Sequence, residues 1–116
     1  MIQPDEVFDF ESFQRSVDTA SAEWEVPHDC PYLDGHFPGN PVLPAVGLLD
    51  GSIELLRRFG AEFLPGRLSL KKAKFSGMIV PGMRVKVFLA VKENRFDIDW
   101  RKSENLEPLA TFSFRI

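Results

Sequence analysis

The feature that most constrains the fold is one helix-patterned segment, residues 44–59, in a chain otherwise patterned for strands. Ala45, Val46, Leu48, Leu49, Ile53, Leu55, Leu56 and Phe59 cover most of its circumference. A helix apolar nearly all round has to be buried by other elements. Pro44 suits the first turn, where a missing N–H costs nothing, and Gly60 supplies a C-terminal stop. Gly47 and Gly51 stand four apart on one face. They weaken the helix, so a sheet or second helix is expected to approach closely there and offset that loss.

The flanking sequence supplies the cover. Residues 6–16 and 21–27, separated by Val17, Asp18, Thr19 and Ala20, are expected to form a first pair of strands. Their alternation is imperfect, and a helix over 10–17 is the competing reading. Residues 67–80, 82–91, 94–101 and 107–116 are rich in Val, Ile, Leu and Phe. Val85–Leu89 and Phe96–Trp100 alternate with period two, and Pro81-Gly82, Glu93-Asn94 and Ser103–Asn105 mark turns. Two strands, a buried helix and four strands predict an α+β fold: an antiparallel sheet curled around one central helix. The 116 residues suit a single domain over 1–116 with one core. The eleven Phe supply the area per residue that a short chain needs.

The net charge of −3 gives no basis for nucleic-acid binding. No apolar run reaches membrane-spanning length, and the N-terminus has neither a basic region nor an apolar stretch, so a cytoplasmic protein without a membrane span is expected. A lone cysteine, Cys30, rules out an internal disulfide framework and any multi-cysteine zinc site.

Between the first strands and the helix lie five prolines, at 27, 31, 38, 41 and 44, which fix φ and remove amide donors. This shaped loop reads Gly35-His36-Phe37-Pro38-Gly39-Asn40-Pro41-Val42-Leu43-Pro44-Ala45 and runs on to Asp50. That stretch closely resembles the signature of the β-hydroxyacyl-acyl-carrier-protein dehydratases of the FabA and FabZ type, with a weaker likeness through Lys74-Phe75 and Val80-Pro81-Gly82. The short N-terminal region resembles the compact dehydratases of aryl-polyene pathways. The resemblance implies a hotdog fold, about six strands wrapped around one long helix. It implies dehydration of 3-hydroxyacyl thioesters on acyl carrier protein to trans-2-enoyl products, with His36 of one subunit facing Asp50 of its dimer partner.

The residues fit that chemistry. Dehydration needs a base for the α-proton, an acid for the departing hydroxyl and donors at the carbonyl. His36 is the natural base, because imidazole titrates near working pH. Asp50 is the natural acid, since a carboxyl among Leu48, Leu49 and Ile53 is expected to hold its proton through desolvation. The helix N-terminus at Ala45 can polarise the thioester carbonyl, and Phe37, Gly39 and Glu54 complete the expected substrate-binding set. No metal or other cofactor is expected, the phosphopantetheine arm belonging to the substrate. The expected assembly is a homodimer, an oligomer of dimers or a heterodimer.

Three positions depart from the pattern. Ala45 replaces a usual Gly, which matters if that residue needs a glycine-only conformation. The acid is Asp, as in the FabA branch. Glu54 stands where many members carry Gln, one turn after Asp50. Structural readings compete for each site residue: His36 as a loop residue capping carbonyls, Asp50 as a buried acid bonded to the loop, and Glu54 as a solvated or paired residue, which is favoured. His28 and Cys30 lack a third ligand and are read as non-catalytic. Arg57, Arg58, Arg67, Lys71, Lys72 and Lys74 form either a solvated face or a patch for an acidic carrier protein. The alternative functions are a hotdog acyl-thioesterase and a non-catalytic acyl-binding or partner subunit.

Overall fold

The computed structural model describes residues 3–33, 42–60 and 67–116. Helix α1 spans Pro4–Val7, followed by strands β1 (Glu11–Arg15) and β2 (Thr19–Glu25) and a 3-10 turn at Pro31–Leu33. Helix α2 then spans Ala45–Phe59. Strands β3 (Ser69–Phe75), β4 (Arg84–Lys92), β5 (Arg95–Lys102) and β6 (Pro108–Arg115) complete the chain. The six strands form one sheet in the order β1-β2-β4-β5-β6-β3, with every neighbouring pair antiparallel. Period-two alternation in β2, β4, β5 and β6 turns one face of the sheet inward. α2 lies on that face.

The helix docks where its backbone is bare. A Cβ on Gly51 would sit 2.7 Å from Phe8 Cε1 and 2.9 Å from Trp100 Cη2. Next to it, Ser52 accepts a hydrogen bond from Trp100 Nε1 at 2.9 Å and donates to the Leu48 carbonyl at 2.8 Å. Trp24 packs on Phe8 with ring centroids 4.6 Å apart and donates its indole N–H to the Val7 carbonyl. The close approach of the sheet is therefore present at Gly51, through Trp100, whereas Gly47 is approached by Tyr32 and Leu43. Both indole N–H groups are satisfied, as burial requires.

The structure corrects several boundaries. Residues 6–16 do not form one strand: α1 takes the first part and β1 begins at Glu11. The imperfect alternation has a physical cause, a bulge between Glu11 and Gln14 with Ser12 at φ 52°. The helical alternative for 10–17 is not adopted. β2 starts at Thr19, so the turn is shorter than expected. Pro44 caps α2 with extended backbone instead of entering its first turn, and Gly60 ends it at φ 96°, its N–H bonded to the Leu56 and Arg57 carbonyls. β3 stops at Phe75; its continuation leaves the sheet, and the Leu43 amide donates to the Ile79 carbonyl at 2.8 Å. That bond holds the entrance of α2.

The helix is also less enclosed than its composition implies. Leu48, Leu55, Leu56 and Phe59 are buried, but Val46 is 55% exposed and Leu49 and Ile53 are half-buried. These three share a stripe that this chain covers only in part, with Leu49 packed against the edge of the core. Gly51→Ala is expected to lower stability: overpacking against fully buried Phe8 and Trp100 costs about 1–3 kcal/mol, more than the ~1 kcal/mol gained in helix propensity. A fall in the urea midpoint at unchanged m-value is the check.

Candidate active site

Asp50 sits in the second turn of α2, half-buried, on the side that carries Val46, Leu49 and Ile53. Its Oδ2 accepts a hydrogen bond of 2.6 Å from the Tyr32 hydroxyl. Tyr32 lies in the 3-10 turn begun by Pro31 and is 5% exposed. Its ring packs against Phe8, with centroids 5.7 Å apart, and over the backbone at Gly47, where a Cβ would stand 3.2 Å from Tyr32 Cγ. Burial raises the Tyr32 phenol well above its ordinary range, and the Asp50 hydrogen bond and charge push it the same way. The phenol is therefore a standing donor to Asp50 across the neutral pH range. The sequence carried a signal for this residue, since the chain's only tyrosine lies four positions before His36, but nothing in a linear pattern joins it to Asp50.

Ala45 is the first residue of α2 and is exposed. It is helical and is not among the residues with positive φ, so no glycine-only conformation is needed there. The Gly47 and Leu48 amides donate to the Pro44 carbonyl. The Ala45 and Val46 amides precede these bonds and point from the helix end, where the dipole is positive.

Glu54 is buried at 3% exposure, and both its oxygens are taken within its own helix. Oε1 accepts from Arg57 Nη1 at 3.3 Å and Oε2 from Arg58 Nε at 3.1 Å. Arg58 also donates through Nη2 to the Phe8 carbonyl at 2.9 Å. Glu54 thus anchors an arginine that ties the segment after α1 to α2, in line with the paired structural reading. The basic residues divide accordingly. Arg58 is drawn inward, whereas Arg57, Arg67, Lys71, Lys72 and Lys74 are exposed. Cys30 is buried, and His28 is exposed beside Gly82, with a Gly82 Cβ falling 3.3 Å from its Nε2.

His36, Phe37 and Gly39 lie outside the described residues. The structure does place the two ends of their segment, Leu33 and Val42, next to Tyr32 and the start of α2. Among the described residues no group of three His, Cys, Asp or Glu is arranged to hold a metal ion, and no helix is long and apolar enough to cross a membrane.

Comparison with known proteins agrees with this geometry. The 3-hydroxyacyl-[acyl-carrier-protein] dehydratase FabZ of Fusobacterium nucleatum is 33% identical over 55 residues, covering 44% of this chain and 39% of that protein. FabZ of Legionella pneumophila is 35% identical over 81 residues, covering 60% and 52% respectively. The chain thus spans about half the length of these relatives or less. Among solved structures, the dehydratase heterocomplex ApeI:P from Xenorhabdus doucetiae superposes with a TM-score of 0.78 at 16% identity, covering 93% of this chain and 96% of that one. The dehydratase domain of PpsC from Mycobacterium tuberculosis gives 0.76 at 16% identity, over 91% of this chain and 42% of that one. These likenesses establish the hotdog fold.

The Glu54 clamp yields a testable expectation. Glu54→Ala should destabilise the protein by about 1–3 kcal/mol, chiefly through Arg58 and the Phe8 carbonyl, because Arg57 is largely solvent-exposed and contributes little. Chemical denaturation of the two proteins measures it. The family model of the ApeI-like proteins, described as ApeI dehydratase, matches residues 12–111, and with the hotdog sheet and the central helix in place, this chain belongs to that family.

Proposed function

We propose that the protein dehydrates 3-hydroxyacyl thioesters carried on acyl carrier protein, giving trans-2-enoyl thioesters. The observation that carries this reading is the setting of Asp50: a half-buried carboxyl on the uncovered side of the central helix, oriented by a buried phenol, in a chain of the ApeI-like family. His36 removes the α-proton as the base. Asp50 gives its proton to the β-hydroxyl, which leaves as water while the α–β double bond forms. The amides at the Ala45 end of α2 polarise the thioester carbonyl and so stabilise the charge that develops on its oxygen. Each acid–base group is expected to contribute about 10²–10⁴-fold.

Two copies complete the site in this reading, with His36 of one subunit facing Asp50 of the other. β3 is a free sheet edge and every one of its residues is exposed. Leu70 and Phe75 pair with Phe114 and Ala110 and share their inward face, yet they stand 45% and 51% exposed, beyond the reach of α2. Apolar side chains exposed on an edge strand call for cover, while Lys71, Lys72 and Lys74 of the same strand keep its other positions charged. On α2, Val46 is exposed and Ile53 half-buried. A second copy paired along β3 would cover Leu70 and Phe75.

The test is conversion of carrier-bound 3-hydroxyacyl thioesters of several chain lengths by wild type, His36→Ala and Asp50→Asn. Wild type is expected to form enoyl product, and each variant to lose it by about 10²-fold or more while remaining folded. Hydrolysis without enoyl formation would favour a thioesterase, and no turnover at all an acyl-binding or partner subunit. Sedimentation should report a dimer for wild type and a shift toward monomer for Phe75→Asp.

A further inference from the structure

We infer that Tyr32 is a positioning residue for Asp50: its hydroxyl occupies one carboxyl oxygen and fixes the other toward the substrate. This inference rests on the dehydratase reading. Three observations join in it. The 3-10 turn at Pro31–Leu33 sets the ring just ahead of the segment that carries His36. Gly47 lets the ring lie close against the helix backbone, since a Cβ there would be crowded, 3.2 Å from Tyr32 Cγ and 3.0 Å from Leu43 Cδ1. The hydroxyl then reaches Asp50 Oδ2 at 2.6 Å, three residues and about 4.5 Å of helical rise further on.

The consequence is directional. Asp50 is short, half-buried and placed where an unrestrained carboxyl can turn between solvent and site. A donor on Oδ2 selects one rotamer and leaves Oδ1 as the oxygen that carries and delivers the proton. General acid catalysis is steeply sensitive to such placement. The phenol is itself restrained, by the Phe8 ring on one side and the Gly47 backbone on another, so the hydrogen bond needs little ordering when substrate arrives. Gly47 and Tyr32 act together here, the one as the space and the other as the occupant.

Two readouts test it. Tyr32 is the only tyrosine, so the ultraviolet change on phenol ionisation reports this residue alone. In folded wild type the phenol should ionise above the ordinary tyrosine range. Asp50→Asn should lower that midpoint by removing the carboxylate's share, while leaving it above a free phenol because burial persists; far-ultraviolet circular dichroism on the same samples confirms folding. In dehydration assays, Tyr32→Phe should lower kcat about tenfold with KM changed less than about twofold. The same substitution in the Asp50→Asn background should cost nothing further. A wild-type level of kcat in folded Tyr32→Phe, or a phenol midpoint unmoved by Asp50→Asn, overturns the inference while wild-type turnover upholds the dehydratase. Absence of wild-type turnover overturns the dehydratase reading itself.

Discussion

The contact between α2 and the sheet at Gly51 is the constraint on which the other elements depend. Trp100 from β5, Phe8 from the segment after α1 and Trp24 from β2 all converge there. A side chain at Gly51 would force the Phe8 ring, the Trp100 ring or the helix to shift. Because the helix is seated so closely, Ser52 can accept a hydrogen bond from the Trp100 indole N–H, and Arg58, nearly two turns later, can reach the Phe8 carbonyl. One bare patch of backbone thus sets the height of the helix, the position of the N-terminal segment and the rotation that turns Asp50 away from the core.

That rotation divides the helix into two working sides. One side packs Leu48, Leu55, Leu56 and Phe59 into the aromatic core. The other presents Val46, Leu49, Asp50 and Ile53, half-buried or exposed. An apolar stripe with one carboxyl in it is costly in an isolated chain and makes sense when a further surface covers it. The free edge of β3, with Leu70 and Phe75 uncovered, makes the same demand from the sheet.

Most buried polar side chains are paired, Asp99 Oδ1 and Ser103 Oγ being without a hydrogen bond among the described residues. Tyr32, Ser52, Glu54 and both tryptophans each have a partner, so their burial does not leave donors or acceptors orphaned. The structure also answers two departures from the dehydratase pattern. Glu54, in place of a common Gln, is compensated by Arg57 and Arg58. Ala45, in place of a common Gly, is helical and meets no conformational objection.

Much of this was legible in the sequence because periodicity encodes burial. The α2 limits, its glycine stop, the four C-terminal strands and the close approach at Gly47 and Gly51 all follow from patterns within a few residues. The motif from Gly35 to Asp50 carried the family for the same reason. Other features were decided only by the tertiary structure. The bulge in β1 depends on pairing with β2, and the uncovered stripe on α2 depends on how far the sheet reaches. Tyr32 meeting Asp50, and Arg58 meeting Phe8 fifty positions away, are contacts between distant parts of the chain. Local sequence determines which faces are apolar and where elements start and stop. Which side chains meet is settled by how the layers are stacked, because that depends on the summed packing of the whole core.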